Sequence, residues 1–250
     1  MLKKILIGLF CLEASMAVHE GAHFVLMRAY GVEVEEMSIG IGPVLYQKQF
    51  PEFKFSVRLI PIMAYVAPSK KGVETETALP LLPIILIDLA GVFSNLLLAS
   101  LVFLGLKLRE SSPSWLVDFL FLPKNYFLLF KDLLVSMVTF GVARPQNNGA
   151  LILERQPGFF WQYLFLINLI LGLANLLPVQ MLDGGKVFFL FFATGLGMAR
   201  DLFGISEKTL LIVAQVVNFV TFYMLIVLML KSLQMQFIRI VNLNEQNKTP

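Results

Sequence analysis

The chain has 250 residues, 57% of them hydrophobic and 15% charged, with 23 phenylalanines and a mean hydropathy of +0.76. Soluble domains are nearer roughly half apolar and about a quarter charged, so this composition points to a polytopic α-helical membrane protein. The net charge of +3 comes from scattered basic residues, which argues against a nucleic-acid-binding surface, and a single cysteine, Cys11, leaves no disulfide framework.

The first apolar stretch reads as a helix over about residues 2–30, long enough to span a hydrocarbon layer of about 30 Å, with Gly31 as its stop. Lys3 and Lys4 ahead of it imitate a secretory signal. No small-x-small cleavage site follows where one is needed, so the expectation is a retained membrane helix. Within it stands Val18-His19-Glu20-Gly21-Ala22-His23. His19 and His23, the only histidines in the chain, lie four apart and so project from one helix face. That spacing suits two ligands of a tetrahedral zinc ion, with Glu20 turned to hold a water beside the metal rather than bind it. H-E-x-x-H also recurs by chance, and a pair of satisfied core histidines is the alternative. Burying them with a carboxylate in a membrane helix is costly unless they have a function. Glu13 points into the interior or toward an aqueous mouth, or else sits near the membrane surface; Cys11 is expected to pack.

Over about residues 32–66 the period changes. Val32-Glu33-Val34-Glu35 and Phe53-Lys54-Phe55-Ser56-Val57-Arg58-Leu59 alternate, and Gly40, Gly42, Pro43 and Pro51 mark turns, so a small sheet at the membrane boundary is expected. A polar link, 69–77, leads to helix 2 at about 79–106. Its centre, Ala90-Gly91-Val92-Phe93-Ser94-Asn95, holds small residues that let helices approach closely. Asn95 needs a hydrogen-bond partner there, as structural glue or near a catalytic site. Residues 115–142 are apolar but interrupted by Asp118, Pro123, Lys124, Lys131 and Asp132, which reads as an interfacial amphipathic segment; 144–149 reads as a polar loop. Helix 3 covers about 159–177 and ends at Pro178. A break at 178–185 carries Asp183 before Gly184-Gly185. An ionisable residue at membrane depth calls for a partner, and the one named is the metal held by His19 and His23; a helix cap is the alternative. Helix 4 is expected over about 210–230, with a polar tail from Gln234 leaving the membrane. The expectation is one domain, 1–250, with about four spans.

His19-Glu20-Gly21-Ala22-His23 together with Asn175-Leu176-Leu177-Pro178 and Leu182-Asp183-Gly184-Gly185 resembles the signature of the site-2 protease family, zinc metalloproteases that cut within the membrane. Residues 90–95 are similar to the family's glycine-to-asparagine motif, and 58–66 to a strand segment that usually ends in a double glycine before Tyr-Val. The resemblance implies His19, His23 and Asp183 as ligands of one Zn2+ and Glu20 as general base. Asn95, Asn175 and Pro178 become candidates for supporting the ligands or binding substrate. Met63-Ala64 replace the usual glycines and Gln180 replaces a second proline. No room is left for a PDZ domain between helices 2 and 3.

The order of elements looks like the bacterial branch that cleaves anti-sigma factors. It implies an integral, multi-pass protein of the bacterial inner membrane. The implied partner is a transmembrane protein substrate, such as an anti-sigma factor or a signal-peptide remnant, in contact with the lipid bilayer. Nucleic acid is not an implied partner. Basic residues Arg28, Lys48, Lys54, Arg58, Lys70 and Lys71 favour a cytoplasmic first loop, whereas Lys3 and Lys4 argue the other way. The alternative function is a non-catalytic metal-binding membrane protein or a transporter. Structural zinc sites are normally closed by four protein ligands and only three are found, and no internal symmetry of a transporter is visible.

Overall fold

The computed structural model describes residues 2–109, 115–138 and 159–246. In chain order these form α1 (Leu2–Ala29), β1 (Val34–Gln49), β2 (Lys54–Pro68), α2 (Lys70–Thr77), α3 (Leu81–Arg109), α4 (Trp115–Leu120), α5 (Leu122–Val138), α6 (Phe159–Ala174), α7 (Asp183–Phe203) and α8 (Glu207–Gln246). The described residues are mostly helical, with one small sheet among them. Among the described residues, α1 and α3 are long and apolar enough to cross a membrane, and α6 is a shorter apolar helix. The expected polar loop at 144–149 lies outside the described residues.

Helices α1, α3 and α6 pack on one another. The apolar core forms where α3 meets α5 and α6, around Val102, Phe103, Leu122, Tyr126, Phe165 and Leu169. Two polar side chains inside this packing bond across helices, although Asn168 Oδ1 and both Glu13 carboxylate oxygens are buried without a partner. Ser15 donates to Cys11 O at 2.7 Å, and the Asn168 amide donates to Ser15 Oγ at 2.8 Å, tying α6 to α1. Cys11 itself is fully buried, with Sγ 3.8 Å from Phe160 O, so it packs between helices.

Strands β1 and β2 pair antiparallel, but the register shifts near their midpoints. Residues 34–39 face 64–68, and 46–49 face 54–57; residues 36–39 also run beside 54–57. The first half of β1 therefore lies between the two halves of β2, and the bend falls at Gly40 and Gly42, whose φ values are +83° and +87°. One face of the sheet carries a polar cluster. Glu36 accepts from Ser56 Oγ at 2.5 Å, from Lys54 at 3.0 Å and from Arg58 at 3.1 Å, and Arg58 also donates to Ser38 Oγ and Tyr65 OH, each at 3.0 Å. Burial alone would raise the Glu36 carboxyl; the bonds from Ser56, Lys54 and Arg58 and the Lys54 charge bring it down to about 2.

Three elements differ from expectation. The link at 69–77 contains the helix α2, because Ser69 Oγ accepts the Gly72 N–H and caps it. The break placed at 178–185 ends earlier: Asp183 is the first residue of α7, a helix of 21 residues. Helix 4, expected over 210–230, is the 40-residue α8, which carries the polar tail on as helix as far as Gln246. Neither glycine nor proline occurs between Gly204 and Pro250, so nothing in the backbone interrupts it.

Candidate metal centre

The site is assembled from α1, α3 and the start of α7. On α1, His19 and His23 stand one turn apart, both buried, with ring centroids 5.0 Å apart. On α7, Asp183 is 5% exposed, and its Oδ2 lies 2.9 Å from His19 Nε2 and 3.2 Å from His23 Nε2. The two Nε2 atoms are 3.3 Å apart. Among the described residues this is the only group of three such side chains whose donor atoms all lie within 4.8 Å of one another.

The geometry can be tested against a metal. Tetrahedral zinc with bonds of about 2.0–2.1 Å holds neighbouring donors about 3.3 Å apart. The three separations here are 2.9, 3.2 and 3.3 Å. Tautomers point the same way. His23 Nδ1 is 2.7 Å from Ile87 O, an acceptor only, so that nitrogen carries a proton, and in the neutral ring Nε2 is left with its lone pair. Asn95 lies against His19 Nδ1, its amide nitrogen 3.0 Å away while its Oδ1 is buried without a partner. Turning the amide over lets Nδ1–H donate to Oδ1, and His19 Nε2 then presents a lone pair as well. Two lone pairs and a carboxylate oxygen facing one another repel unless a proton or a metal ion lies between them, and three such donors at this spacing fit a divalent metal.

The backbone makes this convergence possible. A Cβ added at Gly91 would collide with the His19 ring, so only glycine lets α3 pass so close to that imidazole. Asp183 is braced similarly. Gly184 N donates to Asn175 O at 2.6 Å, and a Cβ at Gly185 would strike Val179 O, so the double glycine folds α7 tightly onto the preceding turn. Asp183 Oδ1, the oxygen turned from the histidines, accepts from Lys186 Nζ at 3.1 Å. Glu20, His23, Asp88, Asp183 and Lys186 line one cavity of about 290 Å³, together with Glu76 of α2 and Val66 and Pro68 of β2.

The candidates thus separate. His19, Glu20, His23, Asp183 and Asn95 are brought together. Asn175 is not delivered to the cavity by its side chain: the amide donates back to Leu171 O at 3.0 Å in its own helix, and only its carbonyl braces the Asp183 turn. Pro178 is half-buried in that turn and does not line the cavity. Sequence reasoning missed Lys186, although its place three residues after Asp183 puts both on one face of α7. It also gave no role to Asp88.

Two bacterial proteins that both bear the name "putative zinc metalloprotease" are similar to this chain. One, from Clostridium perfringens, is 33% identical over 111 residues, covering 42% of this chain and 33% of that protein. The other, from Synechocystis, is 32% identical over 99 residues, covering 36% of this chain and 27% of its own length. A chloroplastic membrane metalloprotease of Arabidopsis thaliana is 26% identical over 130 residues, 46% of this chain and 29% of that protein. The matches therefore span a third or less of each of these relatives. The sequence model of peptidase family M50 covers far more, residues 7–217, from α1 through the hairpin and α3 to the Asp183 turn and into α8. On that match the chain belongs to peptidase family M50, the site-2 protease family.

Proposed function

We propose that this protein is a zinc-dependent endopeptidase that hydrolyses peptide bonds of transmembrane substrates within the membrane. The observation that carries the reading is the convergence of His19 Nε2, His23 Nε2 and Asp183 Oδ2, with Glu20 lining the same cavity. Three protein donors would supply one fewer ligand than a structural zinc site uses, as in catalytic zinc sites. The zinc that these residues would hold supplies Lewis acidity toward a peptide carbonyl and toward water. Glu20, too far round the helix to share the donor set, holds the water and takes its proton, then returns it to the departing amine. Asn95 and Ile87 O keep both imidazoles in the ligand tautomer, and Lys186 and the Asn175 carbonyl fix the direction of Asp183.

In this reading four stretches cross the membrane: α1, α3, α6 with the turn after it, and the apolar part of α8. The first loop is cytoplasmic and the membrane is a bacterial inner membrane. The hairpin dips its exposed apolar bend, Val44, Leu45, Leu59 and Ile60, into the bilayer boundary. A substrate helix hides its peptide bonds in its own hydrogen bonds and must unwind before it is cut. The outer edge of 62–68, whose Val66 and Pro68 line the cavity, holds the unwound segment by strand addition. Substrates of this kind include anti-sigma factors and signal-peptide remnants.

The test is cleavage of a single-span protein by the purified chain in detergent, comparing wild type with Glu20→Gln, each with and without a zinc chelator. Cleavage by wild type alone, lost with chelator and restored by zinc, is the expected result. Cleavage by Glu20→Gln at the wild-type rate would overturn the assignment of the base. Stoichiometric zinc without cleavage of any of several spans would favour a non-catalytic metal protein.

A further inference from the structure

The cavity beside the metal centre contains more acid than the chemistry uses. Four carboxylates line it, Glu20, Glu76, Asp88 and Asp183, against one ammonium, Lys186. Two of the four have assigned work: Asp183 is turned to the histidines and Lys186, and Glu20 is the base. A bound divalent metal still leaves one negative charge in excess.

Asp88 is the unexplained member. It is 9% exposed, lies in the apolar helix α3, and makes no hydrogen bond or close ion pair among the described residues; Lys186, whose ammonium is bonded to Asp183, attracts it only from a distance. An unpaired carboxylate in such a place is costly, and such groups mark binding or transport paths. It directly follows Ile87, whose carbonyl holds His23, so it is anchored beside the metal centre. Glu76, half-buried on α2, continues the negative lining toward the end of the cavity formed by β2 and α2.

We infer that Asp88, with Glu76, forms a subsite for a lysine or arginine side chain of the substrate, beside the bond to be cut. This rests on the endopeptidase reading above. Membrane-spanning segments carry lysine and arginine at their cytoplasmic ends, and the cavity is rimmed by the first loop, the side placed in the cytoplasm. A basic flank of the substrate entering there meets Glu76 first and Asp88 deeper, while the adjoining apolar residues remain in lipid. The subsite thus sets which end of a substrate helix is presented and excludes segments with an acidic flank. A charge opposite Asp88 in so enclosed a place acts mostly on selectivity, by attraction of the right flank and repulsion of the wrong one.

The test uses three single-span substrates identical except for Lys, Gln or Glu at one position, moved stepwise through the flank on the first-loop side. Wild type is expected to cut the Lys form about tenfold more efficiently in kcat/KM than the Glu form at one or two positions. Asp88→Asn lowers kcat/KM for the Lys form and brings the Lys-to-Glu ratio near one; Asp88→Lys inverts it. Zinc content, measured in every variant, separates a lost subsite from a collapsed metal centre. The same three segments are also bound to Glu20→Gln, read by fluorescence anisotropy, with and without Asp88→Asn. This comparison decides the subsite even if no substrate is cut, an outcome that counts against the endopeptidase reading alone. Equal cleavage and equal binding of the Lys and Glu forms at every position would overturn the subsite while leaving the enzyme assignment standing. So would a preference that survives Asp88→Asn, which would leave Asp88 only as a counter-charge for Lys186.

Discussion

Replacing Gly91 with alanine sets two effects against each other on one atom. Alanine is favoured over glycine in a helix interior by about 1 kcal/mol, so backbone propensity alone makes Gly91→Ala stabilising. The added Cβ, however, occupies the space of the His19 ring. That ring cannot step aside freely, because Asn95 holds its Nδ1 and Asp183 Oδ2 lies 2.9 Å from its Nε2. Overpacking of this kind costs about 1–3 kcal/mol, so packing cancels or exceeds the propensity gain. The larger consequence falls on the metal. Losing a group that orients a ligand weakens metal binding about 10–100-fold, and moving the ligand itself should do no less. Zinc affinity is read by competition with a chelating fluorophore in detergent, alongside thermal unfolding. Gly105→Ala, on the same helix, is the control, since its Cβ meets nothing within 4 Å. The expected pattern is weaker zinc in Gly91→Ala and unchanged zinc in Gly105→Ala. Wild-type zinc affinity in Gly91→Ala would refute both the close approach of α3 and the role of His19 as a ligand.

Asn95→Ala should weaken zinc about 10–100-fold in the same competition assay, because His19 Nδ1 loses its partner; no change would remove Asn95 from the site. The hairpin should respond to acid through Glu36. Its folded carboxyl lies at about 2, below the unfolded value, so its contribution is complete above the unfolded value and is lost as pH falls through about 2. The stability gap between wild type and Glu36→Gln, followed by thermal melts, should therefore shrink between about pH 5 and pH 2. A gap that is constant over that window would contradict the assigned cluster. Prolines placed singly at Ile62 and Met63 should slow cleavage with normal zinc content, since one of the two removes an outward-facing N–H. Unchanged cleavage by both would count against strand addition.

What could be read from the sequence was whatever a single helix decides locally. His19 and His23 share a face because of their spacing, and Asp183 is conspicuous because an ionisable group between apolar runs needs a partner. Alternation at 32–35 and 53–59 gave strands, since a period of two is local. It could not show that β1 bends at Gly40 and Gly42 so that residues 36–39 run between the two halves of β2, because pairing is decided across the sheet. That the Asn175 side chain turns away while its carbonyl braces the Asp183 turn was hidden for a similar reason. An asparagine near a helix end can bond its own backbone or reach outward, and here the Leu171 carbonyl wins.

The residues with no reading in the sequence are those whose neighbours come from elsewhere in the chain. Lys186 is the exception, since its partner Asp183 lies three residues earlier on the same face of α7 and the pair was open to a local reading. Asp88 resembles an acid near a membrane surface until α2, β2 and α7 close a cavity around it. The candidate ligands come from one motif in α1 and from the first residue of α7. The acids that would choose the substrate come from two further elements, α2 and α3, that neither motif includes. Metal binding and selectivity can therefore change separately. Altering Asp88 or Glu76 leaves His19, His23 and Asp183 with every bond described for them, whereas altering Gly91, Asn95 or the Gly184-Gly185 turn disturbs the ligands themselves.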